Sequence, residues 1–161
     1  MIVKSWVVRY EHQEPHRWFW VRVYDTVENL RKGAARYGAE PVGHFDRAVA
    51  CVQRVWALHS LDDVEHLNPI FPASGFAGVI RLSQENLYTE IIFHELVHAA
   101  AIVYRLNVNP DMQLGTGIVA DDLDSGSVLA NEESLAYIYG SLAADMDTAI
   151  REHFDFGNWG K

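Results

Sequence analysis

The sequence predicts an α+β domain: a small, mostly antiparallel or mixed sheet combined with two long helices. Three observations predict it. Two runs near the start are rich in Val, Trp and Tyr and are bounded by turn residues. Neither Gly nor Pro interrupts the largely apolar residues 82–109, which read as one long helix. A further helix opens at Asn131 with two acidic residues behind it and continues to about His153.

Residues 2–10 read as the first strand, and the polar residues 11–15, ending in Pro15, as a turn. Residues 17–24 alternate and read as a second strand antiparallel to the first, with Arg17 and Arg22 in solvent. Thr26 is placed to cap a short helix to about Tyr37, with Val27, Leu30, Ala34 and Tyr37 as its apolar stripe and Gly38 at its exit. Pro41 and Gly43 mark a loop. Residues 45–58, with Val49, Cys51, Val52, Val55 and Trp56, favour strand, and a helix also fits this apolar run. Residues 62–69 read as a polar loop. Residues 76–82 read as a short strand, and Ser83 as the cap of the long helix. Residues 107–128 hold Pro110 and three glycines and read as a long loop. Asp122, Asp124 and Glu133 partly match a calcium loop, but Ser127 stands where that loop needs Gly, which discounts calcium.

The 161 residues suffice for one domain with a sizeable core. It divides into N-terminal strands and a short helix (1–75), a strand and the two long helices (76–153), and a tail (154–161). The net charge of −9 argues against direct binding of nucleic acid. The sequence suggests no bilayer-spanning run and no secretory signal at its start. The lone Cys51, set among Ala and Val, reads as core packing in a reducing, cytoplasmic setting.

The long apolar helix contains His94-Glu95-Leu96-Val97-His98. Residues four apart share a helix face, so the two imidazoles stand side by side, one turn apart. That spacing suits two nitrogens on one zinc at about 2.0–2.1 Å. Burying two imidazoles and a carboxylate among Ile, Phe, Leu and Val is costly without a partner, and a metal is the simplest partner for all three.

This H-E-x-x-H pattern resembles the zincin metallopeptidases. The metzincin continuation would need Gly and His where Ala101 and Tyr104 stand. The aspzincin pattern would need Asp after Gly115-Thr116, and none is in register. Residues 131–140 resemble the second helix of the gluzincins, thermolysin type. From Glu133 the pattern finds Ala136, Tyr139 and Gly140, and departs at Tyr137, where the family carries Asp. Ala136 also resembles the repressor-cleaving zinc peptidases of mobile elements.

The resemblance implies a zincin-like fold and a Zn2+ held by His94, His98 and Glu133, with Glu132 as the immediate competitor. It also implies Glu95 as general base, and a protein or peptide substrate paired to the sheet edge formed by the strand entering the metal helix. Gly75, Phe76, Ala77 and Gly78 there would let a peptide backbone approach. Tyr137, Tyr139, His66 and His153 are candidate donors to the oxyanion. The Glu133 face, with Ala136, Gly140 and Ala144, is small and is expected to let this helix pack closely on the metal helix. The alternative is a non-catalytic, zinc-stabilised interaction module of a phage or mobile element. The intact Glu95 argues against it.

Overall fold

The computed structural model describes residues 1–38, 45–58, 73–111 and 132–154. Within them the chain is α+β, with a small mixed sheet of four strands and three α-helices. The expected loops at 62–69 and at 112–128, the Asn131 cap and the tail from residue 155 lie outside the described residues, as do His66 and the discounted calcium loop.

β1 (Ile2–Tyr10) and β2 (Arg17–Tyr24) pair antiparallel, as their alternation predicts. α1 (Val27–Tyr37) starts on Thr26, whose side chain accepts the Asn29 N–H at 3.2 Å. β3 (Ala50–Arg54) runs into a single 3-10 turn over Val55–Ala57, so strand wins over helix in this apolar run. β4 (Phe76–Ser83) follows. A 3-10 turn (Gln84–Asn86) leads into α2 (Thr89–Val108), and α3 (Glu132–His153) closes the described chain.

The strand order is β1-β2-β4-β3, with β2 and β4 parallel and β3 antiparallel to β4. This corrects the expected sheet edge. β4, the strand that enters α2, is interior and hydrogen-bonded on both sides; the outer strands are β1 and β3. The nearby glycines serve the fold itself. A Cβ on Gly78 would collide with the Gln53 carbonyl oxygen of β3, and one on Gly75 would lie 2.6 Å from the His16 carbonyl oxygen. Ser83 is corrected too. It caps the 3-10 turn through the Glu85 N–H at 3.2 Å, and α2 begins six residues later without a side-chain cap.

Strand alternation gives the sheet two buried faces. On one, Trp6, Val8, Phe19, Val21, Val23, Ile80 and Leu82 join Ile92, Leu96, Ala99 and Val103 of α2 and Ile138, Leu142, Met146 and Ile150 of α3 in the main core. α2 is long and apolar enough, by length and composition, to cross a membrane, contrary to the expectation above. In this fold it lies against β3, β4 and α3.

α1 covers the other face, where Leu30 and Ala34 meet Tyr24 and Cys51, so Cys51 is core packing as expected. This face is unusually polar inside. Arg81 Nε donates to Gln53 Oε1 at 2.6 Å, its Nη1 donates to Tyr24 Oη, and Gln53 Nε2 donates to the Ala34 carbonyl at 2.8 Å. These bonds replace the water that Arg81 and Gln53 lose on burial. The solvent-facing arginines expected on β2 are corrected: Arg22 is buried, its guanidinium 5.4 Å from the centroid of the Trp20 ring. Arg17 is buried on the opposite face, directed at the carbonyls of Ser74 and Leu106 at 3.4 and 3.5 Å.

Candidate metal centre

α2 owes its helix to uninterrupted helix-forming sequence and to one buried stripe, Ile92, Leu96, Ala99, Val103 and Leu106. Its first amides close on the Tyr88 carbonyl, from Ile91 and Ile92, each at 3.1 Å. That stripe fixes the rotation of the helix. His94, Val97 and His98 fall on the side away from the core and are exposed, while Glu95 turns inward and is 7 % exposed. The expectation of buried imidazoles is therefore corrected. It is the carboxylate between them that is taken out of water.

The two imidazoles meet. His94 Nε2 and His98 Nε2 lie 3.2 Å apart, with ring centroids at 4.9 Å and planes at 74°. Two nitrogens on one tetrahedral zinc, each at about 2.0–2.1 Å, would stand roughly 3.3–3.4 Å apart. The same separation also suits a hydrogen bond between one neutral ring and the other. The donor pair thus fits a zinc ion without a change of helix geometry.

Burial pushes the Glu95 carboxyl above its ordinary range, and the neighbouring His94 offsets this in part. No described residue gives it a hydrogen bond or an ion pair. A carboxylate with raised proton affinity is suited to take up and return a proton. Partial desolvation holds His98 below the usual imidazole value, and the positive charges of His94, Arg54 and Arg105 add to the effect. A neutral imidazole is the ligating form.

The shift on Glu95 has a sign that can be measured in zinc-free protein. The native state binds this proton more tightly than the unfolded chain, so stability falls as pH rises from about 4.3 through the raised native value. Glu95→Gln removes that loss. With chelator present, the variant should melt above wild type at neutral pH, and the gap should close near pH 4. Parallel melting curves across that range would contradict the assignment.

α3 supplies no described third ligand to this pair. Among the described residues, no group of three His, Cys, Asp or Glu side chains could hold a metal ion. Glu132 and Glu133 occupy the first turn of α3 and both are exposed. Glu132 heads the half-buried stripe Leu135, Tyr139 and Ala143, and Tyr139 meets Phe93 of α2 edge-on at 6.5 Å. Glu133 heads an open stripe. Ala136, Tyr137, Gly140 and Ala144 are exposed, and a Cβ on Gly140 would touch nothing within 4 Å. The small face expected to pack on α2 therefore faces solvent, because Ile138, Leu142 and Met146 make that contact instead.

The candidate oxyanion donors separate. His153 stacks on Trp6 at 5.2 Å in the last turn of α3, about 30 Å along the helix from Glu133 at 1.5 Å per residue. Tyr139 is engaged with Phe93, and Tyr137 is 71 % exposed. Arg54, whose charge reaches His98 from the end of β3, was not anticipated. Nothing in its local sequence distinguishes it from any strand-terminal arginine. Comparison of the chain with family models, curated proteins and solved structures gave no match.

Proposed function

We propose that the chain is a zinc-dependent metallopeptidase that hydrolyses peptide bonds in a protein substrate. One observation carries the proposal: two imidazole nitrogens 3.2 Å apart on an exposed helix face, with a buried carboxylate between them in sequence that has no hydrogen-bond or ion-pair partner among the described residues. His94 and His98 would hold the ion through Nε2. The third ligand would come from the first turn of α3, where the motif register selects Glu133. When bound, zinc would acidify a coordinated water and polarise the scissile carbonyl. Glu95 would serve as general base towards the attacking water and as general acid towards the leaving amine. Its burial supports this work, since a desolvated carboxylate is the stronger base. A purely structural ion would give Glu95 no task.

Elemental analysis of protein purified without added metal tests the proposal. About one zinc per chain is expected in wild type and far less in His94→Ala. Equally low metal in both removes the site. One zinc without hydrolysis of any peptide in a degenerate library would leave the non-catalytic, zinc-stabilised module as the correct reading.

A further inference from the structure

The two buried faces of the sheet are unequally held. The main core runs from the sheet into α2 and α3, whereas Tyr24, Leu30, Ala34 and Cys51 form a small separate cluster under α1. Leu30 and Ala34 are the buried side chains of α1. The layer beneath them is polar. Arg81 and Gln53 are 2 % and 0 % exposed, and they bond to Tyr24, to each other and to the Ala34 carbonyl. Among the described residues no carboxylate pairs with Arg81. A guanidinium held out of water by neutral partners regains hydration when its cover lifts, so this layer adds little to the docking of α1. The other ties of α1 to the sheet side are polar and lie in exposed or half-buried places: Val27 N–H to Glu85 Oε2 and Arg31 Nε to the Ala48 carbonyl, each at 2.9 Å. Water replaces such bonds at little net cost. The C-terminal end of α1 is anchored differently. Tyr37 packs against the main core, and Gly38 bridges to Leu58.

We propose that α1 is a lid on the second face of the sheet, hinged at Tyr37–Gly38, which lifts from Tyr24, Cys51 and Arg81 while the sheet, α2 and α3 stay folded. Segments that open alone are those with few buried apolar contacts and bonds that water can replace, and α1 has both properties. Closed, the lid covers Arg81, Gln53 and Cys51. Lifted, it bares a guanidinium and a thiol carried by neighbouring strands, since Cys51 and Arg81 are partners in register. α2 and α3 pack on the other face, so the motion leaves the His94–His98 pair in place. The inference therefore stands apart from the peptidase reading.

Cys51, the sole cysteine and 6 % exposed, reports the motion. The probe is dithiobis(nitrobenzoate), kept dilute enough that reclosing outruns labelling. In wild type the thiol should react far faster than global unfolding allows. The rate should be nearly unchanged by low urea, because lifting one helix exposes little surface. Leu30→Ala removes an apolar contact of the closed lid and should raise the rate about 30-fold or more, the lower end of what truncating a buried leucine does to an equilibrium. Leu142→Ala, in the opposite core, should lower global stability and leave the rate as it is. Hydrogen exchange needs no variant. A detached helix of 11 residues is marginal in water, so the α1 amides should exchange ahead of those of α2 and α3. Labelling that follows the urea dependence of global unfolding overturns the inference. So does a rate that rises with Leu142→Ala, or one that Leu30→Ala leaves unchanged. Amides of α1 that exchange no sooner than those of α2 and α3 overturn it as well.

Discussion

Glu95→Gln should lower peptide hydrolysis by about 10²–10⁴-fold, the usual worth of general acid–base catalysis, while the protein keeps its zinc and its fold. The amide nearly matches the carboxylate in shape, so the packing of α2 should survive. It cannot accept the proton of the attacking water. Because Glu95 is buried and has no described hydrogen-bond partner, the substitution breaks no other visible contact. A change confined to kcat would place the loss in the chemical step rather than in binding. A variant as active as wild type would remove the proposed mechanism.

Removal of the third ligand should have an effect of similar size on metal affinity. Altering a residue that only orients a ligand costs about 10–100-fold in metal affinity, and deleting the ligand itself should cost more. Glu133→Ala is expected to strip or loosen the zinc. Glu132→Ala is expected to cost only the interaction of an acid with the helix N-terminus, about 0.3–1 kcal/mol of stability. Adjacent residues on a helix point about 100° apart, so one of the two can face the ion and the other cannot. Competitive zinc titration of both variants decides between the motif register, which selects Glu133, and the stripe that packs towards Phe93, which Glu132 heads. Metal loss in Glu132→Ala alone would show the register shifted by one.

Strand and helix identities were legible where a local rule acts alone. The alternation in β1 and β2, the Thr26 cap and the apolar periodicity of α2 are all properties of a few consecutive residues. The approach of His94 to His98 was equally legible, because four-residue spacing on a helix fixes it. What stayed hidden depends on residues distant in sequence. Nothing near residue 76 announces that β3 will pair outside β4, since edge and interior strands differ in their neighbours rather than in their own pattern. Arg22 looks like a solvent-facing charge within its own strand, yet the fold buries it. Gly140 and its small companions suggested a packed face, yet the larger residues Ile138, Leu142 and Met146 bury more apolar area and set the rotation of α3. That rotation also puts Glu132 at the head of the half-buried stripe and Glu133 at the head of the exposed one, which composition alone could not tell.

The contact between α3 and β1 has a consequence for how the molecule behaves in company. Asp145 accepts the outward N–H of Arg9 at 2.8 Å, so a helix side chain occupies a position where another chain's strand could otherwise bond. An outer strand with open amides is a template for sheet growth from molecule to molecule. Here the helix that carries the candidate glutamates also blocks that growth at one side of the sheet. The α3 helix therefore serves colloidal solubility at one end while its other end carries the acids offered to the metal. Loosening it would expose the protein to assembly through β1 as well as to loss of the centre.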